Sequence, residues 1–409
     1  MMRTLARGAL AIALSSAALA ALAVSCAVND AVPGNVTGDP QTLLDGGGND
    51  AIAPTDSAPS ADAGCDAADP SCTTKVVSCA DVAWCIVPTT VSPFYVLTAV
   101  WGSGKDDVWA VGSGGTIVHY DGTAWSPSNS GMTNTFNAVW GSGPGDIYVV
   151  SGNSAILHGS GVGGGPASAA TWTLLPAQID FGSSTIHAVW GSSASDVRIG
   201  GSSYSYSDPD TFESHTGDQF VATVGDGGAK SWQPVTGTGA IQSIWGASAS
   251  DVWIVADNSK WIVWQTAQSL HGTPGDGGAL AFQEVDSQSS DVLESVHGSS
   301  SSDVWAVGSG GTIRHITPSD ARWQIVPSPT KARLHAVFAS GPNDVWAVGD
   351  SGTILHYDGK SFTPSTAQFP IGQKPSLYGI WGSGPNDIWI VGDGVALHYT
   401  GPKQPGGGK

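Results

Sequence analysis

The chain has 409 residues, 34 of them acidic and 15 basic, for a net charge of −19 with histidine neutral. A balance so acidic repels polyphosphate and excludes nucleic acid as a natural partner. Only 12 % of the residues are charged, whereas 56 are glycine and 24 proline, so many short elements joined by turns are expected rather than long helices.

Residues 1–25 carry Arg3 and Arg7 ahead of an Ala/Leu-rich run too short to be a comfortable membrane span, the pattern of an export signal. Residues 26–78 are dominated by Ala, Gly, Pro, Ser, Thr and Asp. So little apolar surface cannot offset the entropy of ordering, and the segment reads as a disordered tether. Setting Cys26 aside, Cys65, Cys72, Cys79 and Cys85 make an even number in an exported chain. Two disulfides are expected, with three pairings open; the gaps are too long and even for zinc.

Residues 79–403 are nearly all repeat, and 404–409 form a flexible tail. An aromatic or His at Trp101, Trp140, Trp190, Trp245, His297, Phe338 and Trp381 is followed six residues later by Asp107, Asp146, Asp196, Asp251, Asp303, Asp344 and Asp387. Glycine and serine fill the gap and an apolar run follows, which predicts two antiparallel strands and a tight turn. Runs such as GTIVHYDG and GTILHYDG supply a third strand, and Trp125, Trp172, Trp232, Phe282, Trp323 and Phe362 open a short fourth. Four strands in roughly 40 to 55 residues match propeller blades. The seventh repeat ends near Tyr399 without a fourth strand, while Trp84-Cys85-Ile86-Val87-Pro88 reads like Trp323-Gln324-Ile325-Val326-Pro327. The expected fold is therefore an all-β, seven-bladed propeller closed by an N-terminal strand that completes the last blade, with no sheet edge left at the junction. A bridge at Cys85 would pin that closure.

Residues repeated in every blade read as scaffold. The seven aspartates are expected to accept backbone N–H groups in the turn before the second strand. His119, His158, His315, His356 and His398 share one third-strand slot, too far apart for a common metal, and read as satisfied hydrogen-bonding groups. No metal or cofactor is expected. Tryptophans should fill the wedges between blades. Arg198 stands where other repeats have Trp or Tyr, either pairing with a carboxylate or marking a decayed repeat, the second being favoured.

One slot varies. Three residues before each first-strand aromatic stand Thr98, Asn137, His187, Gln242, Glu294, His335 and Tyr378, between an apolar and a small neighbour. The first strand of a propeller blade lines the channel, so these side chains are expected to form a polar ring near the axis. The insertion at residues 202–218, with Tyr204, Tyr206 and several carboxylates, should rise from the same face. Asp208, Asp210 and Asp218 follow no EF-hand spacing. Ring and loop together suggest a noncatalytic binding face for a protein or carbohydrate ligand on a monomer. The alternative is a glycan hydrolase or lyase using Glu294 and a second carboxylate within about 5 to 10 Å.

Two resemblances add to this reading. Leu22-Ala23-Val24-Ser25-Cys26 resembles the lipobox of bacterial lipoproteins, with Ala23 where that motif usually has Leu. It implies lipidation of Cys26 and a membrane anchor, and Ala27 after the cysteine favours an outer-membrane lipoprotein; a plain cleaved signal, giving a secreted chain, is the alternative. The repeat, as in LHAVFASGPNDVWAVGDSGTILHYDG, is similar to repeats of bacterial exported propeller lipoproteins, and more distantly to sialidase-type and photosystem-assembly-factor propellers. That places the chain in the bacterial cell envelope. The sialidase Asp-box is absent as such, and three of the four arginines beyond the leader, Arg314, Arg322 and Arg333, lie in one stretch. Fold alone licenses no activity.

Overall fold

The computed structural model describes residues 78–402, except 163–165, 176–184, 204–215, 225–229, 239, 258–266, 276–278, 370–373 and 400. The expected export signal, the expected tether with Cys26, Cys65 and Cys72, the loop bearing Tyr204, Tyr206, Asp208 and Asp210, and the expected tail lie outside the described residues.

Seven four-stranded antiparallel sheets, one per repeat, are arranged as propeller blades. Blade 1 spans residues 97–127, blade 2 136–175, blade 3 185–238, blade 4 240–284, blade 5 293–325 and blade 6 334–364; blade 7 combines 377–399 with Trp84–Ile86. Each first strand packs against those of the blades before and after it, and the first strand of blade 7 packs against that of blade 1, so the ring closes. Second strands such as Asp344–Gly349 are buried along nearly their whole length. A strand covered on both faces needs a continuous apolar run rather than alternation, which is why these segments read Val-Trp-Ala-Val.

What joins neighbouring blades is a large ring laid on a bare backbone. A methyl added to Gly141 of blade 2 would lie 2.5 Å from Trp101 Cη2 of blade 1. The same relation links Trp140 to Gly191, Trp190 to Gly246, Trp245 to Gly298, Phe338 to Gly382 and, closing the circle, Trp381 to Gly102. The one departure is matched on both sides. Blade 5 has the smaller His297, and the facing position in blade 6 is Ala339.

A second layer of aromatics lies further out. Fourth-strand rings meet the second-strand Trp of the preceding blade edge to face: Trp125 on Trp389 (5.1 Å, 88°), Trp172 on Trp109 (5.7 Å, 81°), Trp323 on Trp253 (5.3 Å, 76°) and Phe362 on Trp305 (5.7 Å, 79°). The closing strand obeys the same rule. Trp84, wholly buried, meets Trp346 at 5.0 Å and 84°, and pairs in register with Tyr399. Its backbone carbonyl also accepts the Gln368 N–H.

Cys79 and Cys85 form a disulfide with Cα atoms 5.2 Å apart. The bridge is local to the segment leading into the closing strand, so it does not tie that strand to the rest of blade 7 as expected. Burial of Trp84 and the ladder to residues 397–399 do that.

Removing Trp84 takes away one ring of the 6–7 seam, and Trp84→Ala should destabilise the fold by about 3–5 kcal/mol. Gly141→Ala forces Trp101 off its backbone seat and should cost about 1–3 kcal/mol. Chemical denaturation followed by tryptophan fluorescence measures both, and a Gly141→Ala variant as stable as the parent would refute the seam geometry.

Candidate functional site

Each first strand carries two β-bulges. At the bulge next to the turn the extra residue is Ser103, Ser142, Ser192, Ser299, Ser340 or Ser383 in six of the blades. Its hydroxyl donates to one oxygen of the repeat aspartate, as Ser142 does to Asp146 at 2.6 Å and Ser103 to Asp107. The other oxygen faces a third-strand histidine. Nε2 of His119, His158, His271, His315, His356 and His398 lies 2.6–2.8 Å from Oδ1 of Asp107, Asp146, Asp251, Asp303, Asp344 and Asp387. An ionised carboxylate only accepts, so Nε2 carries the proton. Trp109, Trp305 and Trp346 add indole N–H bonds of 2.9–3.0 Å to the same oxygen. In those blades and in blades 4 and 7 the histidine packs on the Trp ring at 4.0–4.4 Å.

The aspartates are therefore structural, but they act through side chains rather than through the turn N–H groups expected of them. Burial alone would raise the carboxyls of Asp107, Asp303 and Asp344. Donation from histidine, serine and tryptophan outweighs it and holds them below the ordinary carboxylate range. Blade 3 departs as a unit. Arg198, in the Trp slot, pairs with Asp196 at 2.9 Å, and the strand register puts Val221 where the histidine would stand. Arg198 is thus a carboxylate partner and not a sign of decay.

The second bulge holds the variable slot. Leu97 pairs with Gly112 and Ala99 with Val111, which leaves Thr98 out of the ladder, and every blade repeats this. A bulge re-aims its extra side chain, here toward a neighbour. Thr98 Oγ1 lies 2.6 Å from the Phe136 carbonyl, and Asn137 Nδ2 donates to the Ile186 carbonyl at 2.8 Å, so these two fasten their blades to the next. His187 lies 3.5 Å from Ser202 Oγ, and burial lowers its pKa. Gln242 is half-buried at the equivalent bulge.

The last three slot residues come together across blades 5, 6 and 7. Glu294 accepts from Arg333 at 2.6 Å and from the Ser309 hydroxyl at 3.4 Å. His335 Nε2 is 2.8 Å from Asp350 Oδ1, and its ring lies 4.9 Å from that of Tyr378. Burial acts against the charged form of Asp350, yet hydrogen bonds from His335 and Ser376 and the charge of Arg333 leave its pKa lowered. Burial raises Tyr378, helped by the charge of Asp393. The arc is partly open to solvent: the Arg333 side chain is 51 % exposed and that of Asp350 42 %. Phe94 and Tyr95, 94 % and 45 % exposed, belong to the same face, since the Gly394 N–H donates to the Tyr95 carbonyl beside Asp393. Ser202, near the end of the second strand of blade 3, pairs with Thr185 at the start of the first.

Arg333, Asp350, Asp393, Phe94 and Tyr95 are absent from the sequence-based expectation. A spacing could have found two of them. In four blades the turn residue fifteen positions on meets the slot residue: Ser202 for His187, Ser309 for Glu294, Asp350 for His335 and Asp393 for Tyr378. The described tryptophans are buried or half-buried. Among the described residues no group of three or more His, Cys, Asp or Glu is placed to hold a metal ion.

No protein-family model matches the chain, and no curated protein does. Solved structures do. A structure of YCF48 bound to D1 peptide is similar with a TM-score of 0.56 at 16 % identity, covering 78 % of this chain and 97 % of that one. YCF48 from Cyanidioschyzon merolae gives 0.54 at 17 %, covering 78 % and 98 %. The WD40 β-propeller domain of Doa1 gives 0.56 at 10 %, covering 79 % and 98 %. The likeness is one of fold. It places the chain among β-propellers and assigns no ligand.

Asp303, 6 % exposed, holds three donors, and Asp303→Asn should cost about 2–3 kcal/mol at neutral pH. Its folded pKa lies below 3.8, so its contribution is complete above that value and is lost as pH falls through the lowered one. The stability gap between parent and variant, measured by denaturation from pH 7 to pH 2.5, should close at the acid end. A constant gap would reject the ionised-carboxylate role.

Proposed function

We propose that the chain is a noncatalytic binding or scaffold module whose ligand, a protein segment, docks on the face bearing Glu294, Arg333, His335, Asp350 and Tyr378. The observation that carries this is the contrast between the two bulges of every first strand. One holds the same serine–aspartate contact in six blades, whereas the other holds polar side chains that change from blade to blade, three of which join into a partly exposed arc. A side chain required for folding alone would be expected to repeat as the serine does. Phe94 and Tyr95 add exposed rings beside polar groups, the composition typical of protein contacts. A propeller of similar fold, YCF48, has been captured with a peptide bound. The hydrolase or lyase alternative turned on Glu294, which is engaged here by Arg333 and Ser309.

The same proposal includes attachment of the chain to the bacterial envelope through lipid on Cys26, on the strength of the lipobox-like Leu22–Cys26 segment and of repeats that resemble those of exported propeller lipoproteins. Metabolic labelling with a radioactive fatty acid should mark the parent and not Cys26→Ser; label retained in the variant would remove the anchor.

For the face itself, proteins cross-linked to the full chain on intact cells should include a set lost at least tenfold from Glu294→Ala/His335→Ala but retained by a substitution on the opposite face, such as Asp106→Ala. Equal recovery by all three would discard the site.

A further inference from the structure

We propose that the seam between blades 5 and 6 is an acid-released latch, in which His297 stands as a neutral hydrogen-bond acceptor at a place where every other seam has a carbon ring. Six seams are closed by Trp or Phe against the next blade. In this one His297 Nδ1 accepts the Ala339 N–H at 3.2 Å, so the ring carries its proton on Nε2 and is uncharged. The ring lies 5.6 Å from Trp245 and 5.0 Å from Phe338, and stands opposite Trp305 across the strand pair.

The first strand of blade 5 makes two further contacts across the same seam. Ser295 Oγ accepts the Val337 N–H at 3.3 Å, and Glu294 receives Arg333. Three residues of one strand thus reach blade 6 through polar contacts. Protonating His297 would turn its acceptor into a donor facing a donor, and would place a cation among aromatic rings. Attraction between that cation and the ring faces offsets only a fraction of the cost.

Among the described residues no carboxylate faces the ring. The strands packed around His297 carry Asp251, Asp257, Glu294, Asp303 and His335. Four of these are paired with His271, Arg333, His315 and Asp350 respectively, and Asp257 sits at the end of its strand, opposite Ala240. His297 keeps some solvent exposure, and its enclosure by the surrounding rings is the cause that pushes its pKa down from 6.5 to about 4. The sign follows. The unfolded chain takes up the proton near pH 6.5 and the folded chain refuses it until about pH 4, so stability declines across that interval as pH falls and changes no further below it. Glu294 and Arg333 stand on opposite sides of the seam, so its release would open the polar arc at the blade 5 end.

Two measurements on the full chain decide this. The His297 imidazole, followed by NMR and assigned by its loss in a His297→Gln variant, should titrate with a midpoint far below 6.5; a midpoint near 6.5 would overturn the latch. His297→Trp/Ala339→Gly installs the Trp–Gly pair of the other seams. Between pH 6.5 and pH 4 the parent's folding equilibrium should fall on the order of 100-fold more than that of the double variant. Parallel pH profiles would overturn the proposal. Should the double variant not fold, exchange of the Ala339 amide in the parent replaces it: exchange referred to that of the Gly382 amide should accelerate as pH falls through the same interval, and an unchanged ratio counts against the latch.

Discussion

The contact on which the ring depends is an indole or phenyl edge lying on a glycine of the next blade. It is made blade by blade until Trp381 reaches Gly102 and the circle is complete. Such a contact sets the spacing of adjacent sheets more tightly than interdigitating aliphatic chains would, because the ring is rigid and the surface beneath it has no side chain to adjust. It also explains the only exception. A ring as small as imidazole would leave a void over glycine, and Ala339 fills it, so the His297–Ala339 pair preserves the spacing while changing its chemistry. Core packing of this density responds to a single methyl, and a seam of different polarity can therefore persist only as a matched pair.

Outside that contact, the other positions repeated from blade to blade make each blade rigid in itself. The serine–aspartate–histidine–tryptophan set ties the first three strands of a blade together at the end opposite the variable slot, because it joins the bulge beside the turn, the start of the second strand and the third strand. Where blade 3 loses both tryptophan and histidine, Arg198 supplies the positive charge and donor that the aspartate requires. The loss of two members and the gain of one is what a shared hydrogen-bonding requirement demands, and it argues that Asp196 is kept for its partner rather than for its turn.

Architecture was legible in the sequence because it is written in repeated spacings. The aromatic-to-aspartate interval located the first hairpin of every blade, and the likeness of Trp84–Pro88 to Trp323–Pro327 located the closing strand. Partners were less legible. The aspartates looked like turn residues because aspartate before a strand usually is one, although a histidine follows four of them, Asp107, Asp146, Asp303 and Asp344, at a constant interval of 12. His271 escaped the series because the blade 4 insertion stretches its interval to 20. The slot residues were found by their variation, but their orientation was not, since alternation along a strand cannot reveal a bulge. A bulge moves one residue out of register, and at Thr98 and Asn137 the side chain bonds the backbone of the next blade. Disulfide pairing was legible only as a parity, and Cys79–Cys85 is the single bridge among the described residues.

That displacement bears on where a ligand can be recognised. Side chains lining a narrow channel would be available only to something threading it, whereas side chains turned toward the seams and capped by the following turn are presented at the rim of the face. There, in blades 3, 5, 6 and 7, the slot residue and the turn residue fifteen positions later act as a pair, which can change without disturbing the aromatic contact beneath or the aspartate set at the other end of the strand. Blades 1 and 2 use the freedom to bond their neighbours' backbone. Blades 5 to 7 use it to assemble charged and aromatic groups, Glu294 with Arg333 and His335 with Asp350 and Tyr378, beside the exposed Phe94 and Tyr95. A repeat scaffold whose folding determinants and variable determinants occupy separate bulges of the same strand can diversify the second without loss of the first, and this separation is the physical basis of the docking face proposed above.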